Sequence, residues 1–253
     1  MTSPASRCVV AVGSGKGGVG KSTVTLQLAL VSARRGLRVG VLDADLYGPD
    51  IPLMVGISRQ EQARQWQLWR RDGISLRPIE RQGLALMSVG FLLAESQALT
   101  MAAPLLTAAV RQLVVDVEWG ELDLLLVDLP PGTADLQQQL VDVVSLDGAV
   151  VVVGPQDVAH LDARKFVAFL RDTSVPIVGG IENMSGLVCP HCGETIEVFL
   201  PAADGRTIWA DAVPLLGRVP LDPRLGAEPA EPQALFEPIV ERLLEAVRRA
   251  PAA

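Results

Sequence analysis

No run of about 20 consecutive apolar residues occurs in the 253-residue chain, which excludes a membrane-spanning helix. Cysteine is scarce, with three residues, so a disulfide framework is excluded as the source of stability. Basic residues are outnumbered, 22 Lys and Arg against 29 Asp and Glu, and the net charge of −7 argues against nucleic acid as a partner. The first residues carry no apolar signal region, so a cytoplasmic location and no membrane partner are expected. Internal repeats, low-complexity stretches and flexible linkers are missing too, so a single domain over residues 1–253 is the expectation.

Apolar residues make up 49% of the chain and mean hydropathy is +0.32. Such apolarity without a membrane span points to short strands buried on both faces of a parallel sheet. Strands are predicted at 8–12, 38–42, 122–127, 149–153, 177–182 and 215–219, and helices at 21–35, 104–117, 134–144, 161–173 and 232–249. The alternation predicts an α/β fold: a doubly wound, mostly parallel sheet with helices on both faces. Two regions break it. Residues 58–82 are polar and carry Trp66 and Trp69, and read as a surface insertion or a partner-docking surface. Residues 74–79 and 84–89 are expected to pair antiparallel beside the main sheet, and residues 184–200 to form a hairpin that carries a cysteine pair.

Residues Gly15, Lys16, Gly17, Gly18, Val19, Gly20, Lys21, Ser22 and Thr23 contain the full P-loop pattern from Gly15 through Ser22. Glycines let the backbone bring N–H groups against phosphate oxygens, and the helix that opens near Lys21 aims its positive end at the same charge. Lys21 is expected on the β- and γ-phosphates of ATP, and the Ser22 hydroxyl on Mg²⁺.

Phosphoryl transfer needs carboxylates near that loop. Asp43 and Asp45 follow one apolar strand and Asp128 follows another, at the sheet edge where open α/β folds bind ligands. Asp128 reads as the Walker B carboxylate on magnesium, and the Gly132 N–H as a γ-phosphate contact. A helix cap or loop solvator is the alternative for any single aspartate.

Cys189 and Cys192 form a C-x-x-C pair, whose thiolates suit an iron–sulfur cluster, zinc or copper(I). Two ligands do not close a tetrahedral site, and Cys8 lies in the strand before the P-loop. A site shared by two copies, holding a bridging 4Fe–4S cluster or zinc, meets the ligand count. A redox pair that opens a helix, or an inert pair, is the alternative.

The string from Lys16 to Thr23 resembles the deviant Walker A class of ATPases. That likeness implies that Lys16 reaches across a dimer to the partner's nucleotide, that Asp45 positions the attacking water with Asp43 nearer the magnesium, and that Asn183 reads the adenine edge. A solvated loop lysine and a turn asparagine are the plainer readings of Lys16 and Asn183. Over nearly the whole chain the sequence is similar to the Mrp/ApbC family of iron–sulfur cluster carrier ATPases. The residues that carry this are Ser14 to Thr23, Leu42 to Pro52, Asp128 to Thr133, Pro155 to Ala159, Glu182 to Ser185 ahead of the cysteine pair, and Val219 to Pro223. The resemblance implies a homodimer that binds ATP and a bridging 4Fe–4S cluster and passes the cluster to apo iron–sulfur proteins. The chain departs from the family at Met101-Ala102-Ala103-Pro104, where Trp-Arg-Gly-Pro is usual, at Ala134, and after the cysteine pair. The extra N-terminal domain of some members is expected to be missing. A partition- or septum-site-like positioning ATPase would not need Cys189 and Cys192, and a zinc-stapled nucleotide-binding regulator would hydrolyse little.

Overall fold

The computed structural model describes residues 8–45, 48–58, 60–62, 76–91, 111, 113, 116–132, 134–189, 191–226, 230, 231 and 233–249. In chain order the elements are β1 (Val9–Gly13), α1 (Lys21–Arg34), β2 (Val39–Asp43), α2 (Ile51–Met54), β3 (Ile79–Arg81), β4 (Leu84–Ser88), β5 (Leu124–Asp128), α3 (Ala134–Val143), β6 (Gly148–Val153), α4 (Asp157–Asp172), β7 (Ile177–Asn183), β8 (Leu187–Val188), β9 (Thr195–Ile196), β10 (Leu215–Val219) and α5 (Glu237–Arg249).

Eight strands form one sheet in the order β10-β7-β6-β1-β5-β2-β4-β3. All pairings are parallel except β3 with β4. Strands β1, β2, β5 and β6 are buried at every residue, which is why they read as unbroken apolar runs. The step from β1 through α1 to β2 runs toward the β3 edge, whereas β6 through α4 to β7 runs toward the β10 edge. Right-handed crossovers in opposite directions put α1 and α4 on opposite faces. Helix α5 packs on β7, β10 and α1, and so joins the α1 face. Sandwiched this way, α1 is buried on most of its circumference, and Gln27, one of its buried polar groups, has partners: it donates to the Glu231 carbonyl at 2.8 Å and accepts from the Gln233 N–H at 2.9 Å.

The pairing expected at 74–79 and 84–89 is corrected. Residues 79–81 pair antiparallel with 84–86, but β4 also pairs parallel with β2 and belongs to the main sheet. The reason is burial: Leu84, Leu86, Met87 and Ser88 are all inside, so this strand needs cover on both sides. The helix expected over 104–117 does not reach its end, because Val117 bridges to Leu76 in parallel; most of that stretch lies outside the described residues. Helix α4 starts at Asp157 rather than 161, and Leu161 is 59% exposed, not a core residue. An acidic side chain in a first turn suits the helix dipole, which favours the earlier start. The C-terminal helix begins at Glu237 after a 3-10 turn at Ala234–Phe236. Tyr47, Trp66, Trp69 and residues 101–104 lie outside the described residues.

Candidate functional site

Parallel strands point their C-terminal ends the same way, so the loops after β1, β2, β5 and β7 share one edge of the sheet. The loop of residues 14–20 leaves β1 there. Gly15 passes so close to α4 that a Cβ on it would sit 2.2 Å from the Asp162 carbonyl carbon and oxygen. Gly20 is the N-cap of α1 at φ 80°, and among the described residues no side chain caps this helix. The first amides of α1 therefore have no intrahelical acceptor and face the loop.

Three carboxylates converge on Lys21. Its Nζ lies 2.7 Å from Asp128 Oδ2 and 3.4 Å from Asp45 Oδ2. Ser22 Oγ donates to the same Asp128 oxygen at 2.6 Å, and Thr25 Oγ1 stands 2.8 Å from Oδ1. Asp43 accepts from the Asp45 N–H at 3.2 Å and from Ser88 Oγ at 3.1 Å. Asp45 in turn accepts from the Gly48 N–H at 3.3 Å. Burial works to discharge Lys21, but Asp128 and Asp45, with Asp43 behind them, hold its pKa above the ordinary lysine value. Burial, and then the charge of Asp128, push Asp43 well above the usual carboxylate range despite Lys21.

This donor set fits magnesium. Hard oxygens from Ser22, Asp43 and Asp128 surround a site where one ammonium meets three carboxylates, an excess of negative charge that a divalent cation would balance. Among the described residues no group of three or more His, Cys, Asp or Glu could hold a metal unaided. Magnesium commonly completes its shell with water and substrate phosphate, so the two facts agree.

The loop after β5 lies over the P-loop: a Cβ on Gly132 would be 4.0 Å from the Gly15 carbonyl, and one on Gly17 would be 4.0 Å from Pro131 Cγ. Buried Gln137 anchors that loop from α3 by donating to the Pro130 carbonyl at 2.8 Å. Lys16 is half-buried, and among the described residues it has no ion-pair partner. Asn183 ends β7 and donates through Nδ2 to the Val19 carbonyl at 2.9 Å. Residues 15–23, Asp43, Asp45, Asp128, Gly132 and Asn183 thus gather at one place. Sequence reasoning did not include Thr25, Ser88 and Gln137. Thr25 has one available signal, a hydroxyl one turn past Lys21 in the stretch 24–31, which is otherwise apolar but for Gln27.

Cys189 and Cys192 are set apart, on a hairpin of β8 and β9 that is separate from the main sheet. Its root is tied down by the Ser185 N–H to the Val219 carbonyl at 2.9 Å and the Leu221 N–H to the Gly186 carbonyl at 2.7 Å. The tip closes through the Gly193 N–H to the Cys189 carbonyl and the Cys189 N–H to the Glu194 carbonyl, both at 2.9 Å. The pair does not open a helix, which removes the redox arrangement that requires one. N–H groups of Cys192 and His191, with the Cys192 thiol behind them, lower the Cys189 pKa, as suits a thiolate ligand. Cys8 precedes β1, at the opposite edge of the sheet, so it is not a third ligand; burial first and Asp147 second push its thiol up to about 12.

Residues 6–246 match the family described as NUBPL iron-transfer P-loop NTPase. An iron–sulfur cluster carrier protein from Deinococcus radiodurans is 44% identical over 250 residues, 97% of this chain and 69% of that one. A cytosolic Fe–S cluster assembly factor, the NUBP2 homolog of Culex quinquefasciatus, is 42% identical over 87% of this chain and 85% of its own. Among solved structures, a nucleotide-binding protein from Archaeoglobus fulgidus in complex with ADP superposes with a TM-score of 0.70 at 31% identity, over 98% of this chain and 94% of that one.

Proposed function

The chain belongs to the NUBPL iron-transfer P-loop NTPase family, and on that footing we propose that it binds and hydrolyses ATP and, as a homodimer, carries a bridging 4Fe–4S cluster that it delivers to apo-proteins. The observation that carries this reading is a short covalent path: Asn183 holds the P-loop carbonyl of Val19, and six residues later Cys189 sits at the hairpin tip. A shift of the P-loop on nucleotide binding or hydrolysis moves the root of the cysteine hairpin. Coupling of this kind requires different cluster affinities in the two nucleotide states.

The residues take these roles. Lys21 exchanges Asp128 for the β- and γ-phosphate oxygens, which supply the same charge-assisted bond. Ser22 and Asp128, with Asp43 behind them, would hold magnesium, which would neutralise charge on those oxygens. Amides from Gly15 to Thr23 and the Gly132 N–H surround the phosphates. Asp45 orients the attacking water, and Lys16 reaches the nucleotide of the second copy. With Nδ2 on the P-loop, Asn183 keeps its amide oxygen for the adenine edge. Two thiolates per chain become four when two hairpins meet, the number a 4Fe–4S cluster takes.

Anaerobic reconstitution tests the cargo: about four iron and four sulfide per two chains are expected, lost when Cys189 or Cys192 becomes serine. Zinc in their place, or a monomer that keeps a full metal load, overturns the shared cluster. Cluster transfer to an apo-ferredoxin with ATP, ADP and a non-hydrolysable analogue tests the coupling, and equal transfer in all three states ends it.

A further inference from the structure

Asp128 is completely buried, and each of its carboxylate oxygens is held from the first turns of α1. Lys21 at 2.7 Å and Ser22 at 2.6 Å share Oδ2, whereas Thr25 at 2.8 Å is the only donor on Oδ1 among the described residues. We propose that Thr25 is the positioning residue that keeps the Asp128 carboxylate aimed at magnesium after Lys21 and Ser22 have turned to the nucleotide. The inference rests on the nucleotide half of the function proposed above.

Thr25 is itself completely buried, one helical turn beyond Lys21, with its Oγ1 also 3.0 Å from the Lys21 carbonyl. A hydroxyl has one proton for these two acceptors. A threonine inside a helix ordinarily gives it to the carbonyl four residues back. Here the carboxylate contact is the shorter, and an ionised acceptor makes the stronger bond, so the proton goes to Asp128. The three donors then differ in what they have to do. Lys21 and Ser22 face the P-loop and serve ligand oxygens in turn. Thr25 lies beneath them and has no ligand to serve, so its bond persists through the cycle. A carboxylate fixed at one oxygen presents the other in a constant direction, which magnesium, with its demand for near-ideal octahedral geometry, requires. Without Thr25, Asp128 Oδ1 has no donor among the described residues, and the carboxylate can rotate.

The test uses the full-length chain and a fluorescent ATP analogue, titrated with magnesium and in excess chelator. Thr25→Val removes the hydroxyl and keeps the shape. Outer partners of metal ligands typically contribute 10–100-fold to metal affinity, so the magnesium needed for half-maximal tightening should rise about tenfold or more. Affinity in chelator should match the parent, and Thr25→Ser should restore the magnesium response. Thr25→Ala serves in the same way if the valine variant does not fold. An unchanged magnesium response overturns the inference. So does an equal loss with and without magnesium, or a failure of serine to rescue, since both mark a packing role. A parent protein that binds the analogue equally in chelator and in magnesium also overturns the inference, whereas a parent that binds no analogue in either condition overturns the underlying nucleotide reading, and the two are told apart by the parent alone.

Discussion

Asp43 and Asp128 stand opposite each other in register on neighbouring parallel strands, β2 and β5. Strand spacing puts the backbones of these two buried aspartates about 4.8 Å apart, and the Lys21 ammonium acts on both. The pair is costly without a ligand, and Asp43 bears the cost.

That cost is measurable as a pH effect. The folded pKa of Asp43 is raised above its value of 3.8 in the unfolded chain, so the folded protein binds more protons. Nucleotide-free stability should therefore fall as pH rises from near the unfolded value toward the folded one. Asp43→Asn removes this loss while still accepting from the Asp45 N–H. By differential scanning fluorimetry without nucleotide, the variant should melt above the parent near pH 8. The gap should close near pH 4. A gap that does not change with pH would remove the electrostatic account. In the same variant, magnesium-dependent nucleotide binding should weaken.

Gly20 and Asn183 give the second prediction. Gly20 sits at φ 80°, and a Cβ there would lie 2.3 Å from Asn183 Nδ2. Gly20→Ala carries two penalties: left-handed strain of about 1–2 kcal/mol, and displacement of the side chain that holds Val19. Nucleotide affinity should drop about tenfold or more, with a lower melting temperature. Asn183→Ala removes the obstacle but not the strain. In the double variant the stability losses should therefore sum to less than the two single losses, by about 1 kcal/mol. Strict additivity in the cycle would mean that the two residues do not meet.

Local pattern was enough for the ligand-binding edge of the fold but not for its far edge. Residues 124–128 form an apolar run that ends in an aspartate because the strand is buried on both faces and its end meets the ligand edge. The P-loop was legible because its task demands glycines at fixed spacing. β4 was read only as a hairpin partner, because its parallel neighbour β2 lies some 40 residues away and parallel pairing leaves no local turn signal. The start of α4 at Asp157 rather than 161 is not legible from the apolar pattern, because Val158 and Leu161 in its first turns are exposed and mark no core face. Thr25 was passed over because its partner Asp128 is 103 residues distant, and no spacing rule connects them.

Thiol chemistry supplies the last prediction. In reduced, metal-free protein the three cysteines are in different environments. Cys189 is half-buried at the hairpin tip, and the N–H groups of Cys192 and His191 favour its thiolate. Cys8 is pushed from 9.0 to about 12 by burial and by Asp147, which leaves about a thousandfold less thiolate than an ordinary thiol. Pulsed alkylation near pH 7.5 with peptide mass spectrometry should label Cys189 first, and Cys8 only after denaturant is added. Loading the metal site should protect Cys189 and Cys192 together and leave the slow labelling of Cys8 unaltered. Cys192 reacting ahead of Cys189 would mean that the N–H groups at the tip do not stabilise the thiolate. Protection of Cys8 on loading would mean that it is a ligand after all, against its place at the opposite edge of the sheet.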